Sequence, residues 1–228
     1  MSNEVIETAK ATQEVAKTTA KAIAVSEKFG SFIAKYIAGS LEQGIGIFED
    51  KLKYMRWERQ VRLIDKADEI MSNRSLSEPA KAIPMKLAIP LFQSASLEED
   101  DFLQDKWAYL LANSVDNNFS IEIKRNHLTA LENMTKLEVQ IFDTISKNEI
   151  DSELTGEKLA VNLAEYPIKL VLNGEKSEKH LSHELEASLN NLLRLGLLYN
   201  ETFGAYPNWV RVSALGKELY YACNDIDK

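Results

Sequence analysis

Five carboxylates lie close together between residues 98 and 105, and carboxylate oxygens are the ligands that Mg²⁺ and Ca²⁺ take in proteins. A metal site needs several of these oxygens to converge on one point, whereas this sequence spreads them around the start of one predicted helix. Acidic side chains also stabilise the first turn of a helix, because they interact with the helix dipole. We therefore interpret the cluster as part of a helix start and assign no metal ligands to it. Its members are Glu98, Glu99, Asp100, Asp101 and Asp105.

The histidines form a second pattern that could hold a metal. His180 and His183 are three residues apart, with Glu184 beside them, so one helix face could present the edge of a site. A zinc site needs three or more ligands, and no cysteine lies near this pair. The third histidine, His127, stands alone in the sequence. We interpret the pair as exposed helix surface, and we predict neither a metal nor a cofactor.

Nucleophilic catalysis has one thiol candidate, the single cysteine Cys223. No histidine lies close to it in sequence to act as its base. The sequence also has neither a phosphate-binding loop nor the Gly-x-Ser-x-Gly pattern of serine hydrolases. We assign no catalytic residues and expect a protein that is not an enzyme. A hydrolase or nuclease with a divalent ion on the acidic cluster is the alternative.

Charge and cysteine content restrict the class of protein further. The formal net charge is −8 over 228 residues, which disfavours a general nucleic-acid binder because phosphate contacts need a basic surface. A lone cysteine is typical of a reducing compartment. Met1 leads into a polar stretch rather than the apolar core of a signal peptide. We expect a cytoplasmic protein.

Residues 1–50 are predicted as an N-terminal helical arm. Within it, residues 29–48 are mostly apolar and hold four glycines, and residues 51–62 then place basic side chains beside aromatic ones. A membrane span is disfavoured because Lys35 and Glu42 would lie near the bilayer centre. Packing in a soluble bundle or oligomer fits the pattern better, with peripheral contact to the inner membrane as the alternative. The residues predicted for membrane or partner contact are Phe29, Phe32, Tyr36, Lys51, Lys53, Arg56, Arg59 and Arg62.

Residues 51–133 are predicted as a helical core. Apolar side chains at helical spacing run from residue 50 to residue 71, which indicates an amphipathic helix. Pro79 and Pro84 then mark a linker. The run Ser96-Leu97-Glu98-Glu99 has the form of a capping box. It predicts that the next helix begins there.

Residues 134–228 are predicted as a winged-helix-like α+β domain. A second capping box, Thr135-Lys136-Leu137-Glu138, opens its first helix. Two further helices are expected at about 156–164 and 177–195, and alternating patterns then predict two strands before a last helix. The predicted fold class is mainly α, with a helical N-terminal body of long helices and this C-terminal domain. The strands are expected at 197–201 and 209–212, and the last helix near Ala214.

The stretch from Lys51 to Phe119 carries a resemblance to a known family. Its most specific part runs from Ala95-Ser96-Leu97-Glu98-Glu99-Asp100 to Leu111-Ala112-Asn113, after the run Lys53-Tyr54-Met55-Arg56-Trp57-Glu58-Arg59. These residues resemble the core of the Abi-alpha (abortive infection alpha) family of bacterial proteins, and the likeness extends over roughly residues 30–220. The resemblance implies a role in antiphage defence. It brings no catalytic residues with it.

We therefore expect a non-enzymatic protein that acts by protein–protein contact or by self-assembly, as a homo-oligomer or with a protein partner. Besides the hydrolase or nuclease, two alternatives stay open. One is a membrane-acting effector that works through residues 29–62. The other is a DNA-binding winged-helix protein, which the acidic side chains of the helix predicted at 177–195 disfavour.

Overall fold

A computed structural model describes residues 27–28, 30–38, 57–74, 80–155, 161–162, 169–170, 183–200 and 210–225. These residues are mostly helical, which confirms the main fold prediction. The helices are α1 (Trp57–Asn73), α2 (Met85–Leu97), α3 (Asp101–Val115), α4 (Arg125–Glu132), α5 (Lys136–Thr155), α6 (His183–Arg194) and α7 (Ala214–Cys223). The strands are β1 (Ile37–Ala38), β2 (Ile83–Pro84), β3 (Val161–Asn162), β4 (Lys169–Leu170), β5 (Leu198–Asn200) and β6 (Val210–Val212). Residues 30–36 are also helical.

The chain divides into two compact units, each made from two stretches of sequence. The first unit is Met1–Glu98 with Ser114–Asn118, and the second is Glu99–Asn113 with Phe119–Lys228. The sequence predicts boundaries between separately folding segments at residues 50 and 133. These boundaries stay a prediction.

The core of the first unit forms where α1 packs against α2. Their buried side chains recur at helical spacing, so each helix presents one apolar face. The helical residues 30–36 add Phe32, whose ring meets Phe92 edge-on with centroids 5.9 Å apart. β1 pairs with β2 in parallel. The buried residues of the two helices include Leu63, Ile64, Ala67, Met71, Ala88, Leu91, Phe92 and Ala95.

The capping box predicted at Ser96 is wrong. Ser96 lies inside α2, where its hydroxyl donates to the carbonyl of Gln93 at 2.9 Å. The helix α3 begins at Asp101, and Asp100 caps it by accepting hydrogen bonds from the backbone N–H groups of Phe102 and Leu103. A capping sequence needs a preceding break in the helix, and the chain breaks after Leu97 rather than before Ser96.

The core of the second unit forms around α5, which contacts α6, α7 and β6. The capping box predicted at its start is confirmed. The backbone N–H of Thr135 donates to Glu138 Oε2 at 2.6 Å, and the N–H of Glu138 donates to Thr135 Oγ1 at 3.3 Å. The buried residues on α5 and α6 include Val139, Ile141, Phe142, Ile145, Leu185, Leu189 and Leu192.

Strands β5 and β6 form an antiparallel pair in which Tyr199 lies opposite Arg211. They match the two predicted strands, and α7 follows at Ala214 as expected. The turn from α6 into β5 uses Gly196 with φ of 73°, a left-handed conformation that suits glycine. The helix predicted at 156–164 is wrong at Val161–Asn162, because these residues pair as a strand with β4.

Candidate functional site

The residues predicted for membrane or partner contact have different surroundings. Phe32 and Tyr36 are 3% and 5% exposed, so their rings belong to the core of the first unit. Arg62 is exposed, and Arg59 donates from Nη1 to the carbonyl of Leu97 at 3.1 Å. Phe32 and Tyr36 could reach a membrane or a partner only if residues 30–36 left α2. The contact itself stays a prediction, and Phe29, Lys51, Lys53 and Arg56 lie outside the described residues.

No helix within the described part of the chain combines the length and the hydrophobicity needed to cross a bilayer.

The acidic cluster contributes to the start of α3 through Asp100. Besides capping the helix, Asp100 accepts a hydrogen bond from Lys136 Nζ at 3.1 Å. The Lys136 interaction and the backbone N–H groups lower the pKa of Asp100, because each favours its charged form. Within the described ranges, no three His, Cys, Asp or Glu side chains are placed to hold a metal ion. His180 lies outside those ranges, and His183 is exposed at the start of α6.

A buried ion pair in the second unit joins α3, α5 and the end of α7. Lys106 Nζ lies 2.5 Å from Asp143 Oδ2 and donates to Asn224 Oδ1 at 2.6 Å. The amide of Asn224 donates in turn to Asp143 Oδ1 at 3.2 Å. Both the ammonium and the carboxylate are therefore paired and hydrogen-bonded. Charged groups in a protein interior need such partners.

The same region encloses the only thiol. Cys223 is 4% exposed, and burial raises the pKa of its thiol far above the ordinary value. A nucleophilic cysteine must ionise. The surroundings of Cys223 therefore favour a packed thiol over a reactive one.

The buried carboxylate of Glu149 attaches the β5–β6 hairpin to α5. Its Oε2 accepts a hydrogen bond from the backbone N–H of Val212 at 2.8 Å, and its Oε1 accepts one from Arg211 Nε at 3.3 Å. Lys217 Nζ of α7 lies 3.9 Å from Oε1. One side chain thus fixes the position of a strand and of the helix that follows it.

His127 is fully buried at the start of α4, and the structure gives it a partner that the sequence did not reveal. Its Nε2 lies 3.1 Å from Glu218 Oε2, across 91 positions of sequence. Its Nδ1 accepts a hydrogen bond from the backbone N–H of Lys124 at 3.1 Å. Burial lowers the pKa of His127, and the interaction with Glu218 opposes that effect. The one sequence signal for its capping role is its position three residues after Lys124, at the start of α4.

The exposed side of α6 is a further surface of the second unit. His183, Ala187, Asn190 and Arg194 are exposed at helical spacing along it, while Leu185, Leu189 and Leu192 on the opposite side are buried. Asn191 fixes Arg194 by accepting from Nε at 3.0 Å and from Nη2 at 2.7 Å. The amide of Asn191 also donates to Glu138 Oε1 at 2.9 Å, which ties this side of α6 to the start of α5.

Charge differs between the two units. The first unit holds equal numbers of basic and acidic residues, so the whole formal net charge of −8 belongs to the second. An acidic unit repels phosphates. The described residues thus form a mostly helical protein, with an acidic second unit and an exposed face on α6.

Comparison with known proteins gives the family directly. The sequence model of one family, abortive infection alpha, matches residues 58–223. This match covers more than half of the chain, and the chain belongs to the abortive infection alpha family. Membership associates it with a defence role. No curated protein and no solved structure gives a significant match.

Proposed function

We propose that this chain is a non-enzymatic interaction protein of antiphage defence, and that its second unit is a winged-helix-like docking module for a protein. The observation that carries the proposal is the exposed side of α6 in an acidic unit whose buried charges are engaged in structure. In the proposed arrangement α6 takes the place of a recognition helix, and the β5–β6 hairpin takes the place of the wing.

Protein is favoured over DNA as the partner because of charge. Glu184 and Glu186 lie in the first turn of α6, where a DNA-reading helix would approach phosphates and base edges. Arg194 is the basic residue of the last turn. Arginine is one of the residue types enriched among the side chains that dominate binding at protein interfaces.

Photocrosslinking in cells tests the partner class. The variant Asn190→benzoylphenylalanine places the reactive group in the middle of the exposed side of α6. Thr129→benzoylphenylalanine is the matched control, because Thr129 is also exposed, on α4. We expect a discrete protein adduct, identified by mass spectrometry, from position 190 and none from position 129.

The same experiment separates the alternatives. If the adduct contains a second copy of this chain, then α6 mediates self-assembly rather than contact with a different protein. Nucleic acid in the adduct would replace the proposal by the DNA-binding function. Equal adducts at both positions would contradict the proposal that α6 is the docking surface.

A further inference from the structure

His127 occupies a position that usually belongs to glutamate or glutamine in a capping box. It is the third residue of α4, and its Nδ1 accepts the hydrogen bond of the Lys124 backbone N–H at 3.1 Å. An acceptor nitrogen carries no proton, so the neutral ring must carry its proton on Nε2. That N–H then donates to Glu218 Oε2 at 3.1 Å. The two contacts together select one tautomer of a fully buried ring.

Protonation of this ring conflicts with the cap. The added proton would go on Nδ1, where it would face the N–H of Lys124 as one donor against another. The side chain of Lys124 adds a cation, since its Nζ also lies 3.5 Å from Glu218 Oε2. The charged groups that act on the ring are thus Glu218 of α7 and Lys124 before α4. The carboxylate favours the imidazolium, whereas the ammonium and the burial oppose it.

We propose that His127 is a proton-operated latch, which in its neutral form joins the start of α4 to Glu218 of α7 and on protonation releases the start of α4. The latch needs no ligand, and it is independent of the docking role proposed for α6. Its consequence is local: the cap of α4 is lost on acidification, and the second unit keeps its other attachments to α7.

The direction of the pH dependence follows from the burial of the ring. The pKa of His127 is lowered in the folded chain, so the unfolded chain binds a proton at a higher pH than the folded one. The stabilising contribution is therefore fully present above the unfolded value of about 6.5, and it is lost as the pH falls from there through the lowered pKa of the folded chain. Acid weakens the latch, and neutral pH restores it.

Amide hydrogen exchange of the full chain, measured by NMR and corrected for the intrinsic effect of pH, tests the latch at the Lys124 amide. The matched control is His127→Gln, because a glutamine oxygen can accept from Lys124 and its amide can donate to Glu218, yet it does not titrate. Between about pH 7.5 and about pH 5, we expect protection of the Lys124 amide to fall about tenfold in the wild type and to change little in His127→Gln. Equal loss in both chains, or no loss in the wild type, would overturn the proposal.

A second variant tests the pair even where His127→Gln does not fold. Glu218→Gln removes the carboxylate that favours the imidazolium. Ring protonation, followed through the histidine ¹⁵N shifts, should then occur at a lower pH, together with the loss of protection. A protonation pH that stays the same in Glu218→Gln would show that the two side chains are not coupled, and the latch would be wrong.

Discussion

At the scale of single residues, Lys106 places a charged ammonium group inside the second unit. A charge in the interior is costly unless an opposite charge and hydrogen-bond acceptors lie close to it. Asp143 and Asn224 supply these partners within 2.6 Å. A buried pair contributes little net stability relative to apolar residues of the same size, but removal of one partner leaves the other uncompensated. The pair therefore serves as a determinant of packing, and its disruption should be costly.

Lys106→Met should lower the free energy of unfolding by about 3 kcal/mol, because Asp143 loses its cation in a largely buried position. The double variant Lys106→Met/Asp143→Leu should recover a large part of that loss. Urea unfolding followed by circular dichroism measures both. The control is Lys136→Met, whose exposed ammonium pairs with Asp100 and whose loss should leave the midpoint nearly unchanged. A single variant as stable as the wild type would mean that Lys106 is not held as the structure describes.

Some contacts between individual residues could not be predicted from the sequence. His127 and Glu218 are 91 positions apart, and Glu149 and Val212 are 63 apart. No local pattern predicts such pairs, because they depend on how helices and strands assemble. The acidic cluster was interpretable locally, and Asp100 does take part in a helix start.

At the scale of elements, the two capping boxes show how much a short sequence decides. The one at Thr135 is confirmed because the preceding Asn133 and Met134 already leave α4. The one at Ser96 fails because tertiary packing extends α2 through Leu97, with Ala95 and Ser96 buried. Local capping preferences of about 1 kcal/mol are overridden when the same residues gain burial. Most of the helices and the β5–β6 pair were predicted from the sequence, whereas α4, the exact start of α3 and the β3–β4 pair were not.

The packing of residues 30–36 on α2 bears on the membrane alternative. Phe32 and Tyr36 are buried against their own unit, so they are not available to a bilayer in this arrangement. We predict that the full chain stays at the bottom of a density gradient when it is mixed with anionic phosphatidylglycerol vesicles.

The control for that flotation experiment is Arg62→Glu, which reverses an exposed charge on α1. Flotation of the wild type would contradict the prediction. If Arg62→Glu then failed to float, Arg62 would be part of the membrane contact, and the membrane-acting effector would become the leading function.

At the scale of the whole molecule, family membership and charge distribution restrict the function together. The abortive infection alpha match spans residues 58–223 and so includes parts of both units. The first unit has no formal net charge, and the second carries all of it. The family was recognisable from sequence because its specific residues are contiguous. The separation of charge is also visible in the sequence, because residues 1–72 have no formal net charge and residues 73–228 carry all of it.

The most direct measurement is a phage challenge of bacteria that express the full chain or its variants. Ala187→Arg adds a large side chain to the exposed side of α6, and Thr129→Arg makes a matched change on the exposed side of α4. Thermal melts of both purified variants establish that they fold. If docking through α6 is the mechanism, Ala187→Arg loses protection by at least about tenfold in plaque number while Thr129→Arg retains it. A folded Ala187→Arg variant that protects as well as the wild type would contradict the account.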